Sequence, residues 1–152
     1  MPMRLLPVNH LQQDNEFGCL AACTQMVLRF YDVTVSQTEL NRLFELRSGG
    51  VPFSNVSRVA RYRVRVTLEE GNEYFLKQAI DQQHPLIIFV HTEQLTSYWD
   101  ISTWHAVVVV GYDEDNFLIH DPAFHDVPKR VAIDELMLAW LEFDYSCALI
   151  TR

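Results

Sequence analysis

The stretch QQDNEFGCLAACTQMVLRFY, residues 12–31, places a cysteine directly after a glycine and directly before a long apolar run. From Cys19 to about Tyr31, apolar and small residues fall at 19, 20, 22, 23, 26, 27 and 30, the period of an amphipathic helix. Cys19 therefore stands at a helix mouth. Unpaired backbone N–H groups and the positive end of the helix dipole favour a thiolate there. Gly18 in front of it allows a tight backbone turn and a close approach by substrate. Cys23, one turn deeper, lacks these advantages and reads as a small buried hydrophobe, as does Cys147.

Working outward, helices come first and strands second. Ser36-Gln37-Thr38-Glu39 predicts a capped helix to about Leu46, closed by Gly49-Gly50. A short helical stretch follows Pro52 through Arg61, then a strand over 62–68 and a helix from Asn72 through Gln82. Residues 86–90, 106–112 and 117–120 are rich in Val, Ile and Phe and predict strands, with a hairpin turn at 113–116. A helix over 134–141 and a strand over 145–150 complete the pattern. It predicts one α+β domain over 1–152, a helical N-terminal half packed on a mostly antiparallel β-sheet.

Composition narrows the function. The 152 residues carry a formal charge of −8, which argues against nucleic acid or an anionic membrane surface as partner. The one basic cluster, Arg58, Arg61, Arg63 and Arg65, is explained by a solvated helix end running into a strand. No apolar stretch reaches membrane-spanning length, and the first residues lack the features of a secretion signal, so no membrane insertion and a cytoplasmic location are expected. Three cysteines fit reduced thiols better than a disulfide framework.

A cysteine nucleophile needs a base and a group to orient it. The segment WHAVVVVGYDEDNFLIHDPAFH, residues 104–125, offers both. His105 opens a run of four valines. Asp121 lies sixteen residues on, where the return strand of the same hairpin ends, and the even spacing allows both side chains on one face. An oxyanion donor is also required. Gln12 and Gln13 both lie close enough before Cys19, and the sequence physics leaves them tied; the Cys19 N–H supplies the second donor. The aromatics Tyr98, Trp99 and Trp104 border the loop leading into His105 and read as walls of a substrate groove. Phe53, Ser54 and Asn55 offer another wall. His120, Asp121 and His125 match no zinc spacing and 113–116 lacks the ligands of a calcium loop, so neither a metal nor another cofactor is expected.

Gln13, the run from Cys19 to Tyr31, His105-Ala-Val-Val-Val-Val-Gly111 and Asp121-Pro122 together resemble the C39 family of papain-like cysteine peptidases, in the same order and over nearly the whole chain. The resemblance implies a papain-like fold. It matches Cys19 to the nucleophile, His105 to the base, Asp121 to its orienter and Gln13 to the oxyanion donor, which breaks the tie with Gln12. Gly18 stands where the family has an acidic residue. Leu20 stands where it has glycine, and is expected to narrow the cleft. With no transporter domain following in this sequence, a free-standing member acting on a peptide or protein substrate is implied. The competing expectations are a non-catalytic peptide-binding or immunity module, and an acyl transferase or deamidase using the same residues. The sequence is silent on oligomeric state.

Overall fold

A computed structural model of the chain describes residues 2–125 and 128–152. The order of elements is β1 (Arg4–Leu5), α1 (Cys19–Phe30), α2 (Gln37–Leu43), a 3-10 helix (Phe53–Tyr62), β2 (Arg65–Glu70), α3 (Glu73–Asp81), β3 (Leu86–His91), a short 3-10 turn (Thr92–Gln94), β4 (Trp104–Tyr112), β5 (Asn116–His120), β6 (Lys129–Ala132), α4 (Ile133–Leu141) and β7 (Ser146–Thr151). The fold is α+β and papain-like, with helices packed on an antiparallel sheet.

The sheet runs β2-β7-β3-β4-β5-β6, every pairing antiparallel, and β1 adds to β4 beyond the end of β3. β4 is its centre. Residues 105–112 are all buried, so both faces of the strand are covered, and the run of β-branched valines suits such a position. Helix α1 packs on β4, and its Leu20, Cys23, Met26 and Val27 are buried in the core. Gly111 marks a close approach: a Cβ there would collide with the Arg4 carbonyl oxygen of β1.

Some boundaries differ from the sequence reading. Ser36 Oγ accepts from the Glu39 N–H at 3.0 Å, but the Glu39 carboxylate takes the Tyr62 hydroxyl instead of closing the box. Helix α2 ends three residues early, where Glu45 turns to a φ of 57°. The first long strand begins late because Arg63 is left-handed, with φ 65°. β1 and β6 have no counterpart in the sequence pattern. The 113–116 turn forms as expected, with Asp113 Oδ1 accepting from the N–H groups of Asp115 and Asn116.

Candidate active site

Cys19 is the first residue of α1, and its helix cap, Gly18, contributes no side-chain bond. The N–H groups of the first turn are therefore left for other acceptors. The Cys19 sulfur faces His105 and the Ala106 and Leu20 N–H groups, all of which favour its charged form by hydrogen bonding. Burial pulls the thiol pKa up, but these bonds and the charge of His105 together bring it below the ordinary value.

His105 lies on β4, opposite Val90 of β3. Its Nε2 stands 2.6 Å from Asp121 Oδ1, leaving Nδ1 for the thiol. Burial opposes the charged ring, yet Asp121 and Cys19 raise its pKa to about 9. Asp121 follows β5, which pairs with β4 through Val108 and His120 and shifts register between Val109 and Gly111. It is wholly buried. Desolvation would raise its pKa, but the His105 bond, His105's charge and further donors bring it down. Oδ1 also accepts from the Ala123 N–H at 2.9 Å, and Oδ2 accepts from Tyr98 Oη and Trp99 Nε1, each at 2.9 Å. Trp99 stands edge-on to the His105 ring, with centroids 5.0 Å apart.

Cys19 and His105 open into a cleft of about 390 Å³ that Gln13, Gly49, Gly50 and Trp104 also line. Phe17, Ile101 and Trp104 leave much apolar surface exposed around it. Gln13 Nε2 donates to the carbonyls of Asn15 (2.9 Å) and Glu16 (3.2 Å), while its Oε1 is buried and has no partner among the described residues. Gln12 is exposed, and its carbonyl is held by Gln37.

Three substrate-wall expectations are corrected. Leu20 is 1% exposed: one residue along the helix turns it away from Cys19 and into the core, so it does not narrow the cleft. Gly18 is buried under the Asn15 side chain, and its φ of −93° is open to any residue. Tyr98 packs against Phe124 and faces Asp121, behind the cleft. Trp99 and Trp104 do line the cleft, but Trp99 is also a donor to Asp121, which the sequence reading missed. A wholly buried carboxylate needs more donors than one imidazole, and the aromatics beside the base were the places to seek them. Phe53 packs on Phe89 beside a neighbouring apolar cavity that Trp104 shares, and Asn55 is tied to the Phe44 carbonyl.

Cys23 and Cys147 are fully buried, and burial pushes both thiols up, Cys147 to about 12. His120 Nε2 bonds the Val8 carbonyl at 2.7 Å, while Asp121 turns to His105. Among the described residues, no helix is long and apolar enough to cross a membrane.

The structure is similar to several solved ones. A Bacillus anthracis protein assigned as a C39-like peptidase superposes with a TM-score of 0.80 at 17% identity, covering 100% of this chain and 98% of that one. The peptidase domain of Streptococcus ComA, a bi-functional ABC transporter, gives 0.75 at 17% identity, covering 97% and 98%. A double glycine motif protease of an AMS/PCAT transporter, in complex with the leader peptide, gives 0.68 at 20% identity, covering 97% and 93%. These likenesses are of fold. No curated protein sequence matches the chain. The model of the Peptidase_C39 like family matches residues 5–148, and the chain belongs to that family.

Proposed function

We propose that this chain is a cysteine peptidase that hydrolyses a peptide bond through Cys19, His105 and Asp121, with Gln13 in the oxyanion hole. The observation that carries the reading is the buried 2.6 Å bond between His105 Nε2 and Asp121 beside a thiol of lowered pKa at an open cleft. A binding module has no need of a thiolate. The family's peptidase character and the exposed apolar rim of the cleft support a peptide or protein substrate.

The Cys19 thiolate attacks the scissile carbonyl carbon. The resulting oxyanion takes the Cys19 N–H, which has no acceptor within its helix, and Gln13 Nε2. Gln13 must release one loop carbonyl to do so, and the longer bond, to Glu16, yields first. Imidazolium His105 protonates the leaving amine as the C–N bond breaks. Neutral His105 then takes a proton from water, which attacks the thioester, frees the acid and restores the thiolate.

The test follows iodoacetamide alkylation of each cysteine by mass spectrometry across pH, in wild type and His105→Ala, alongside cleavage of a peptide library with Cys19→Ala as blank. Selective alkylation of Cys19 below the free-thiol range of about 8.5, lost in His105→Ala, is expected. A Cys19 no more reactive than Cys23 or Cys147 would end the nucleophile assignment.

A further inference from the structure

Gln37 is the first residue of α2, where a glutamine is ordinarily solvated, yet it is only 8% exposed. Its Oε1 accepts from the Asp14 N–H at 3.0 Å. Its Nε2 donates to the Gln12 carbonyl at 2.9 Å and to Gln25 Oε1 at 3.0 Å. Gln25 in turn donates to the Val35 carbonyl at 3.0 Å. Main-chain N–H groups only donate and carbonyls only accept, so both amides are fixed in orientation.

The two main-chain bonds of Gln37 fall on either side of Gln13. One side-chain amide thus holds residues 12–14 much as a neighbouring strand would. From the opposite side, the Gln13 N–H donates to the Pro122 carbonyl at 2.8 Å, and His10 Nε2 bonds the Asp121 carbonyl at 2.8 Å. The Gln13 backbone is clamped between α2 and the turn that carries Asp121. Among the described residues its side chain bonds only loop carbonyls, so it can swing while the backbone stays still.

We propose that Gln37 is a positioning residue for acyl transfer: it fixes the main chain from which Gln13 reaches the oxyanion. The inference rests on the oxyanion reading of Gln13. Gln37 has no contact with Cys19 or His105 among the hydrogen bonds above, so its removal leaves the thiolate–imidazolium pair intact.

Two reagents separate these effects. Cys19 attacks 2,2′-dipyridyl disulfide at sulfur, a reaction that needs the thiolate and forms no oxyanion. Acylation by p-nitrophenyl acetate forms a thioester and releases p-nitrophenolate through a tetrahedral oxyanion. Gln37→Met keeps length and removes the amide. It is expected to slow acylation roughly tenfold or more, as loss of alignment does, with disulfide exchange unchanged. Gln13→Ala combined with Gln37→Met should be no slower than Gln13→Ala alone, because Gln37 acts through Gln13.

Additive losses in the double variant, or equal falls with both reagents, would assign Gln37 to the fold alone and overturn the proposal. If Gln37→Met does not fold by circular dichroism, Gln37→Asn, whose amide is withdrawn by one methylene, takes its place with the same outcomes. Wild-type acylation by Gln13→Ala would sink the oxyanion reading and this inference together. Slow Gln13→Ala beside wild-type Gln37→Met would sink the inference alone.

Discussion

Asp121 holds His105 by the ring nitrogen that Cys19 does not use, Oδ1 standing 2.6 Å from Nε2. Three ionisable groups are thereby set in a row, and each reduces the cost of burying the next. The row closes on Tyr98 and Trp99, which occupy the second oxygen of Asp121. The Cys19 thiol at one end and the two aromatic donors at the other belong to one electrostatic unit.

The pH dependence follows from that unit. Cys19 is lowered from its ordinary value and His105 is raised to about 9. kcat/KM should therefore rise as Cys19 loses its proton, below the free-thiol value, and fall as His105 titrates near 9. In stability the two shifts oppose each other. The raised His105 contributes stability that is complete below about 6.5 and lost as the pH climbs through its folded value, while the lowered Cys19 contributes stability gained toward about 8.5, where the unfolded thiol ionises. They offset where folded Cys19 is ionised and the unfolded thiol, below about 8.5, is not, so thermal melts should hardly move across the plateau of the rate. A steep fall of Tm across that interval would deny the pair.

Asp121→Asn tests the orienting role proposed for Asp121. Both oxygens of Asp121 accept, Oδ1 from His105 and Ala123 and Oδ2 from Tyr98 and Trp99. An asparagine amide turned either way places a donor against donors. Beyond losing the anion that raises His105, the variant should lose about 1–3 kcal/mol of stability from mismatched buried donors. Activity should fall roughly 10²–10⁴-fold, as when a triad carboxylate is neutralised elsewhere. Urea unfolding and single-turnover acylation measure the two separately, and a stable, active Asn variant would remove Asp121 from the mechanism.

How far the site was legible depends on which way each residue faces. Cys19 heads a helix whose 3.6-residue period is plain, His105 opens the buried strand of valines, and one hairpin returns Asp121 to its side; these signals are local. The corrections at Gly18, Leu20 and Tyr98 share one cause: nearness in sequence to Cys19 or His105 is not nearness to the cleft. A helix turns about 100° per residue, which sends Leu20 into the core. The donors to Asp121 depend on how the loop after β3 folds back, and no period encodes that. β1 is two exposed residues, and β6 buries only Val131, so neither carries a pattern.

Trp99 and Trp104 should separate under mutation although both line the cleft. Trp104 is 68% exposed and touches Phe143 edge-on. Trp104→Ala is expected to raise KM for a cleaved peptide and leave Tm unchanged. Trp99 also donates to a buried carboxylate, a bond worth about 1.5–3 kcal/mol. Trp99→Ala should lower both kcat and Tm, and Trp99→Phe, which keeps a ring and loses the donor, should share the kcat defect. An effect of Trp99→Ala confined to KM would reduce it to a wall.

Gly111→Ala distinguishes the anchorage of the N-terminal segment from the clamp around Gln13. A Cβ at 111 collides with the Arg4 carbonyl and also comes within 3.1 Å of Leu118 and Leu5, so β1 has to lift from β4. The cost should be of the order of 1–3 kcal/mol, as for other overpacked sites. Hydrogen exchange should rise first in the segment that β1 begins. Further along, the segment is fastened again at Val8 by His120, at His10 by the Asp121 carbonyl, and around Gln13 by Pro122 and Gln37. Those bonds lie beyond the collision and do not depend on it. Gly111→Ala should therefore melt lower yet acylate with p-nitrophenyl acetate at the wild-type rate below its melting range. If acylation falls as well while disulfide exchange holds, β1 rather than Gln37 sets the reach of the oxyanion donor.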